Sequence, residues 1–233
     1  MVVLSPHSDD APLSVGGTIP RLGANHKVIV YIIFGLSRFT RFRRFRNRVA
    51  VTAYRWTEER MSSLVLGYQV RYFAFPDSSA RAADRNGPSN HLPGVRETLL
   101  SHLANDRPET ILCPLGVGNH PDHVTLARTI VDLMLAGVVK TSTCRFYEDL
   151  PYSTFYDTTP SVKSIEKALS MKMGPVLIDV TKTIASKISA LKIYKSQLRS
   201  SNISRVEDYA RTLAEEETKG SPHYHEREWV IAS

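Results

Sequence analysis

Two short apolar segments of this 233-residue chain each lead into a cluster of histidine and aspartate residues. Residues 2–4 (Val-Val-Leu) precede residues 7–10 (His-Ser-Asp-Asp), and residues 110–113 (Thr-Ile-Leu-Cys) precede residues 120–123 (His-Pro-Asp-His). An apolar helical period follows each cluster, so each occupies a loop between a strand end and a helix. In open α/β sheets, ligands bind outside the carboxyl ends of the strands. We therefore expect both clusters to meet at one edge of one sheet.

Strand-like and helix-like segments alternate along the whole chain. Predicted strands cover residues 2–5, 27–34, 69–75, 110–113, 143–147 and 175–180, and predicted helices cover residues 12–22, 50–66, 93–104, 122–135, 181–196 and 204–217. Such alternation is typical of βαβ units. It predicts an α/β fold with a Rossmann-like, doubly wound, mostly parallel sheet flanked by helices. A hydrophobic content of 42% suits a single domain over residues 1–233, with a strand-helix extension from about residue 160.

Membrane and secretion signals are not visible in the sequence. The longest apolar run, residues 28–34, is far shorter than a membrane span requires, and the first residues read as a strand rather than a signal peptide. We therefore expect a cytoplasmic protein. Cys113 and Cys144 lie in apolar strand-like segments, which predicts buried free thiols rather than metal ligands or nucleophiles.

The two polar clusters together contain the ligands of a split metal site. His7, Asp10 and His123 supply two imidazoles and one carboxylate, a set that suits zinc when a fourth position is left open for water. Asp9 and His120 then remain beside the metal, as a carboxylate to accept a proton from that water and an imidazole to stabilise developing charge. This set indicates a metal-dependent hydrolase, with zinc as the expected metal and iron(II) as the alternative.

The same donor types leave two further interpretations open. Two histidines and one carboxylate also form the facial triad of non-haem iron oxygenases, although the alternation of strands and helices favours the hydrolase. Asp122 could orient a neighbouring histidine or cap the helix that begins at this point. Of these two roles, the sequence favours the cap.

A basic segment, residues 38–48, is the main competing signal. It places arginines between Phe39, Phe42 and Phe45, and the whole chain has a net charge of +7. Such a segment could bind nucleic acid through phosphate contacts and base stacking, steer an anionic substrate, or form a short helix that the phenylalanines pin to the core. We expect no nucleic-acid partner, because net charge informs association rather than fold. The alternative function is a polyanion- or nucleotide-binding protein with a vestigial metal site.

Two segments near the expected site have no assigned secondary structure. Residues 77–93 are rich in Ser, Asp, Asn, Gly and Pro, which predicts a loop that forms a wall of the pocket. The tail, residues 221–233, contains His223, His225 and Trp229. It could pack on the domain, close over the pocket or reach a neighbouring subunit, so a homo-oligomer stays open.

The motifs resemble those of the PIG-L (LmbE-like) family of zinc-dependent N-acetyl deacetylases. The family's first motif is Pro-His-Pro-Asp-Asp-Glu, which matches residues 6–11 (Pro-His-Ser-Asp-Asp-Ala), and its second is His-Pro-Asp-His. Further family-like segments are residues 55–58 (Arg-Trp-Thr-Glu) leading to Leu66-Gly67, residues 76–78, 147–152 and 178–181. The order of these segments makes the resemblance specific, and it covers most of the chain.

The resemblance implies hydrolysis of the N-acetyl group of a small amino sugar or sugar-containing biosynthetic intermediate. The implied roles are metal ligands for His7, Asp10 and His123, general base for Asp9, oxyanion support or amine protonation for His120, and substrate contacts for Arg55 and Asp77. Ser8 and Ala11 depart from the family motif. Ser8 frees a backbone that proline would fix, and Ala11 removes a carboxylate, but neither change removes a ligand.

Overall fold

One seven-stranded sheet forms the centre of the computed structural model, which describes residues 1–23, 25–42, 47–83, 94–215 and 223–232. The strands are β1 (Val2–Ser5), β2 (Ile29–Ile32), β3 (Gln69–Tyr72), β4 (Ile111–Pro114), β5 (Cys144–Tyr147), β6 (Met173–Asp179) and β7 (His225–Ile231). Their order is β3-β2-β1-β4-β5-β7-β6. The strands β1 to β5 are mutually parallel, whereas β7 is antiparallel to both of its neighbours. The predicted mostly parallel α/β fold is confirmed.

Helices cover both faces of this sheet. They are α1 (Asp10–Val15), α2 (Thr18–Gly23), α3 (Arg48–Leu66), α4 (Ser78–Ala83), α5 (Val95–Asp106), α6 (Pro121–Leu135), α7 (Thr159–Leu169), α8 (Ile184–Leu191) and α9 (Ser200–Glu215). The predicted helix over residues 12–22 is divided at Gly16 and Gly17. A Cβ at Gly17 would lie 2.6 Å from the Val180 side chain, so the chain needs glycine where it passes this residue. The sequence did not predict α4 or α7.

The first strand shows why its sequence is continuously apolar. Val2 and Leu4 pack into one core with residues of α5 and α6, and Val3 packs into a second core with residues of α1 and α3. A parallel strand with helices on both faces has no solvent-facing side. The apolar sequence of β1 therefore fits a strand that is covered by helices on both faces. Cys113 and Cys144 are free and buried, as the sequence predicted.

The strand order reverses at β1, which lies between β2 and β4. Val2 pairs with Ile29 on one side and with Ile111 on the other. Connections from two neighbouring parallel strands leave in different directions at such a switch point, and this opens a crevice at the carboxyl edge. The segments that follow β1, β4 and β5 border this crevice, and the polar motifs lie in these loops and in the first turns of α1 and α6.

The C-terminal tail is an inner strand of the sheet. Residues of β7 pair with both β5 and β6, and Trp229 lies opposite Phe146 and Pro175. Of the three alternatives for the tail, the structure therefore shows the first: the tail packs on the domain. The sequence concealed this strand because its alternating charges read as exposed, whereas Glu226, Arg227 and Glu228 all have ionic partners in the folded chain.

Glu226 anchors β7 to the opposite side of the chain. Its carboxylate accepts hydrogen bonds from the backbone N–H groups of Gly17 and Thr18, both at 2.8 Å, and from Lys187 Nζ at 2.6 Å. Both charged side chains are at most 2% exposed. Burial of two charges is costly unless their hydrogen bonds are satisfied, and here the contacts join α2, α8 and β7. None of the helices in the described ranges has the length and apolar character of a bilayer-spanning segment.

Replacement of Lys187 by Met is expected to lower the free energy of unfolding by about 3–5 kcal/mol, because it leaves the Glu226 carboxylate buried without its cation. Denaturant unfolding of the native protein and the variant measures this loss. Lys192→Met, an exposed lysine that follows α8, is the matched control and is expected to stay within about 0.5 kcal/mol of the native value. Equal stability of the two variants would contradict the structural role of the pair.

Candidate metal centre

The loop between β1 and α1 is held in shape by Ser5. Its hydroxyl donates to the carbonyl oxygen of His7 at 2.6 Å and accepts from the backbone N–H of Ala11 at 3.1 Å. The backbone N–H of His7 donates to Asp10 Oδ2 at 2.8 Å. These bonds close a tight turn, so the His7 and Asp10 side chains are fixed before any ligand binds.

Three predicted ligands converge in this loop region. His7 Nδ1 lies 3.0 Å from Asp10 Oδ2, and His123 Nε2 lies 3.3 Å from the same oxygen. Candidate donor atoms of these three residues all lie within 4.8 Å of one another. His123 Nε2 is buried and has no hydrogen-bond partner within the described residues. A buried nitrogen without a partner, together with an imidazole and a carboxylate, fits a divalent metal such as zinc or iron(II).

A buried carboxylate lies behind each of the two imidazoles. His123 Nδ1 is 2.6 Å from Asp149 Oδ1, and His7 Nε2 is 2.8 Å from Asp122 Oδ2. Both carboxylate side chains are fully buried. Metal-binding histidines commonly donate their second N–H to a carboxylate, which fixes the ring and raises its basicity as a ligand. This arrangement leaves His7 Nδ1 and His123 Nε2, which both face Asp10 Oδ2, as the candidate metal-binding atoms.

Asp122 contacts this network rather than the end of its own helix. Its carboxylate also accepts from the Ser78 N–H at 2.9 Å and from Arg81 Nη2 at 2.6 Å. The N-cap of α6 is His120, whose Nδ1 accepts from the Asp122 N–H at 3.3 Å. The favoured interpretation of Asp122 as a cap is therefore wrong, because its carboxylate is turned inward to balance His7 and Arg81.

A second group of donors, His7, His120 and Asp122, also lies within 4.8 Å. Asp122 Oδ2 already accepts hydrogen bonds from His7 and Ser78, so its lone pairs are engaged. The group of His7, Asp10 and His123 is the better metal site, since it alone contains a buried nitrogen without a hydrogen-bond partner.

The electrostatics of the centre favour a cation. Burial opposes the charged form of His7, but Asp10 and Asp122 outweigh it and raise the pKa of His7 to about 9. Burial likewise opposes the charge on His123, and Asp10 and Asp149 raise the pKa of this histidine well above its usual value. Both shifts report a negative potential at the point where the ligand atoms meet, and a divalent ion would experience the same attraction.

Asp9 lies beside this centre in a different environment. Its Oδ1 is 3.6 Å from Arg55 Nη2, and Arg55 Nη1 is 3.7 Å from Asp77 Oδ2. Burial and the neighbouring charge of Asp10 raise the pKa of Asp9 to about 6, although Arg55 and His7 oppose this shift. This environment moves the pKa of the Asp9 carboxyl towards neutral pH, as proton transfer at that pH requires.

His120 completes the ring of imidazoles. Its ring centroid is 5.1 Å from that of His7 and 5.0 Å from that of His123. Burial and the charges of these two neighbours lower the pKa of His120 to about 4. Because Nδ1 accepts from the Asp122 N–H, the proton of the neutral ring is assigned to Nε2. That atom lies 3.3 Å from Ser78 Oγ and is available as a donor in the pocket.

These residues line a cavity of about 180 Å³. The cavity brings together the predicted residues His7, Asp9, Asp10, Arg55, Asp77 and His120, together with Leu13, Phe39, Ser78, Ser79, Pro151, Tyr152, Gln197 and Leu198. His123 is buried behind them. The sequence did not identify Asp149, Arg81 or Tyr152 as site residues. A signal existed only for Asp149, since it follows the end of β5 as the two motifs follow β1 and β4.

The basic segment and the predicted loop both contribute to the walls of this cavity. Residues 38–42 are not helical, which contradicts the short-helix interpretation for this part, and Phe39 is 52% exposed at the cavity. Asn47 caps α3 by accepting from the Val49 N–H at 2.9 Å. In the predicted loop, Asp77 is followed by the helix α4. Residues 43–46 and 84–93, with the rest of both predictions, lie outside the described residues.

The α/β sheet, the polar cavity at its switch point and the histidine-carboxylate group define the class of this protein as an α/β protein with a candidate metal centre at the sheet edge. The model of the PIG-L family, described as GlcNAc-PI de-N-acetylase, matches residues 2–134. This match spans more than half of the sequence, so the chain belongs to the PIG-L family, and the predicted family membership is confirmed.

Individual relatives extend this similarity beyond the family match. The 2'-N-acetylparomamine deacetylase of Streptomyces fradiae is 26% identical over 207 residues, which are 84% of this chain and 72% of that protein. A deacetylase of the teicoplanin biosynthesis pathway, solved as a bog complex, has a TM-score of 0.79 at 21% identity and covers 99% of this chain and 97% of its own. The zinc-inhibited form of teicoplanin deacetylase Orf2 has a TM-score of 0.72 at 21% identity and the same coverage. These structural matches agree with the fold described above.

Replacement of Asp149 by Asn is expected to weaken metal binding by about 10- to 100-fold, because the second partner of His123 loses its charge. Competition with a chromogenic chelator measures the dissociation constant. Asp157→Asn, which removes an exposed carboxylate nearby in the chain, is the matched control and is expected to bind like the native protein. Unchanged affinity in Asp149→Asn would show that this carboxylate does not support a metal ligand.

Proposed function

We propose that this protein is a metal-dependent N-deacetylase that hydrolyses the N-acetyl group of an amino sugar or of a sugar-containing biosynthetic intermediate. Family membership and the paromamine deacetylase relative support this activity. The observation that carries the proposal is the buried His123 Nε2, which has no hydrogen-bond partner among the described residues and lies 3.3 Å from Asp10 Oδ2, next to His7 and a cavity that also contains Asp9. Buried polar atoms normally have partners, and a metal ion would satisfy this one.

The proposed metal ligands are His7 Nδ1, Asp10 Oδ2 and His123 Nε2, with zinc as the metal and iron(II) as the alternative. When bound, the ion supplies a Lewis acid that polarises the acetyl carbonyl and lowers the pKa of a water molecule. Asp122 and Asp149 orient the two histidines from behind. The protein contributes a rigid set of ligands, since each of these side chains is held by at least one other contact.

Asp9 is the proposed general base. It takes one proton from the attacking water as the water oxygen forms a bond to the acetyl carbon. When the carbon–nitrogen bond breaks, Asp9 returns this proton to the leaving nitrogen, so the free amine and acetic acid form, and the acid ionises to acetate by losing the second proton of the water to solvent. A pKa of about 6 for Asp9 suits both steps, because the group is largely ionised at neutral pH and still holds a proton well enough to deliver it.

His120 is the proposed donor to the carbonyl oxygen. Its Nε2–H lies in the cavity, and the Asp122 N–H on Nδ1 holds the ring in this tautomer. A fixed donor directed at an oxygen that gains negative charge stabilises the transition state more than the ground state. Because its pKa of about 4 leaves His120 neutral at pH 7, we assign the proton delivery to Asp9 instead.

Arg55 and Asp77 are the proposed substrate contacts. Arg55 Nη1 donates to Ser37 Oγ at 2.6 Å and lies near both Asp9 and Asp77. Its guanidinium therefore lowers the pKa of the base, and because Arg55 and Asp77 both line the cavity, they are placed to contact sugar hydroxyls. We further propose that the enzyme acts in the cytoplasm as one domain over residues 1–233, and that its partner is a small N-acetylated sugar rather than nucleic acid. The complete set of Asp9, His120 and both supporting carboxylates favours this function over a polyanion-binding protein with a vestigial site.

Replacement of Asp9 by Asn is expected to lower the rate of acetate release from N-acetyl amino sugars by about 10²–10⁴-fold, because the base is lost. Metal content is expected to stay at the native level, since Asp9 is not a proposed ligand. Acetate release and bound metal are measured together at increasing zinc, because zinc inhibits a relative. His123→Ala is the comparison and is expected to lose both metal and activity. Full activity in Asp9→Asn would refute the assigned base.

Replacement of Arg55 by Gln is expected to move the acidic limb of the pH profile of kcat to higher pH. The Arg55 cation lowers the pKa of Asp9, so its removal raises that pKa, and the base then ionises only at higher pH. The pH profile of acetate release measures the shift. Arg55→Lys keeps the charge and is expected to retain a limb close to the native position. If the acidic limb of the pH profile does not move in Arg55→Gln, ionisation of Asp9 does not control activity.

A further inference from the structure

The cavity is too small for a whole conjugated substrate. Its volume is about 180 Å³, whereas sites that enclose drug-sized ligands span roughly 300–1,000 Å³. An amino sugar in the cavity would therefore leave any attached group at the cavity mouth. The residues at the mouth then decide which substituents the enzyme accepts.

A short segment of the basic region spans this mouth. We define residues 37–41 as the mouth segment. The N–H of Arg38 donates to Ser79 Oγ at 3.0 Å, and the N–H of Arg41 donates to the Ser196 carbonyl oxygen at 2.8 Å. Ser79 lines one side of the cavity, and Ser196 directly precedes two cavity-lining residues on the other. Phe39 lies between the two anchors and forms part of the cavity wall.

Arg41 holds a fixed positive charge at this position. Its Nη1 donates to the carbonyl oxygen of Leu198, itself a cavity-lining residue. The side chain is exposed, and no carboxylate pairs with it among the residues that the structure describes. Arg55, inside the cavity, differs from Arg41 because it already has two acidic neighbours, Asp9 and Asp77. The N–H groups of Arg41 that do not bind Leu198 are therefore open to a ligand.

Two further exposed arginines belong to the backbone segments that border the mouth. Arg38 and Arg199 are both exposed, and within the described part of the chain neither side chain has an acidic partner. Arg199 follows Leu198, the residue that Arg41 contacts, directly in the sequence, and the Arg38 N–H is bonded to the cavity-lining residue Ser79. Exposed cations on segments next to the opening, without paired carboxylates, attract anions and raise their rate of association.

We infer that the mouth segment binds an anionic substituent of the substrate, a phosphate or a carboxylate, and that Arg41 is its main contact. This inference rests on the proposed deacetylase function and defines the substrate class more narrowly. The planar guanidinium presents parallel N–H groups that match the oxygens of phosphate and carboxylate. Because Leu198 already orients Arg41, less conformational freedom is lost when the anion binds. Phe39 offers apolar surface to the part of the substrate between sugar and anion.

The test compares three substrates in the metal-loaded enzyme at low salt. They are methyl N-acetylglucosaminide, which is neutral, N-acetylglucosamine 1-phosphate and N-acetylmuramic acid, which contains a carboxylate. The value of kcat/KM for acetate release is expected to be roughly tenfold higher for at least one anionic substrate than for the neutral one. This preference is expected to shrink as salt rises. The phosphate and carboxylate substrates distinguish the two sources of charge.

Variants of Arg41 then locate the contact. Arg41→Gln is expected to abolish the preference for the anionic substrate, whereas Arg41→Lys keeps the charge and retains most of it. Arg60→Gln removes an exposed arginine of α3 and is the matched control, with the native preference expected. Equal kcat/KM for neutral and anionic substrates in the native enzyme, or a preference that survives in Arg41→Gln, would overturn the inference.

A binding measurement separates this inference from the proposed function. Calorimetric titration of N-acetylglucosamine 1-phosphate into Asp9→Asn, and into Asp9→Asn combined with Arg41→Gln, measures affinity without turnover. A roughly tenfold weaker affinity in the double variant would support the anion contact even if no substrate released acetate. Loss of acetate release from every substrate would refute the deacetylase alone, and equal affinity in both variants would refute the anion contact alone.

Discussion

The parallel pairing of β1 with β4 is the constraint on which the site depends. Val2 and Val3 pair with Ile111 and Leu112, so the loops that follow these strands leave the sheet side by side. His7 lies in the loop after β1 and Asp10 begins α1, His123 lies in the first turn of α6 after β4, and Asp149 follows β5, the next strand of the sheet. Without this order of strands, residues more than a hundred positions apart could not form a common candidate metal site.

Buried carboxylates are the second feature that holds the structure together, because their hydrogen bonds join separate helices and strands. Asp122 connects α6 to His7 and Arg81, while Glu226 connects β7 to α2 and α8. Removing a charge from water costs several kcal/mol, and hydrogen bonds and opposite charges must offset this cost. Near the site the same kind of contact fixes the imidazoles of His7 and His123, the proposed metal ligands.

The environments of Asp9 and His120 shift the pKa values of these two neighbours in opposite directions. Burial raises the pKa of Asp9 to about 6, and burial together with the neighbouring histidines lowers the pKa of His120 to about 4. Each shift favours the neutral form, because a charge is poorly solvated in this cavity. The carboxylate is thereby suited to carry a proton and the imidazole to donate a fixed hydrogen bond, a division that residue types alone do not reveal.

The sequence by itself determined the alternation of strands and helices and the two strand-end motifs, because residue type and short-range periodicity encode these features. The resemblance of its motifs to those of the PIG-L family was likewise visible in the sequence. It did not reveal β7, whose charged residues look exposed until Lys187, Glu148 and Arg145 approach from elsewhere in the fold. The partners of the two imidazoles lie 115 residues away for His7 and 26 for His123. Only the tertiary structure decided these contacts, because strand order and helix packing bring the groups together, and no local pattern records which distant carboxylate will lie behind which histidine.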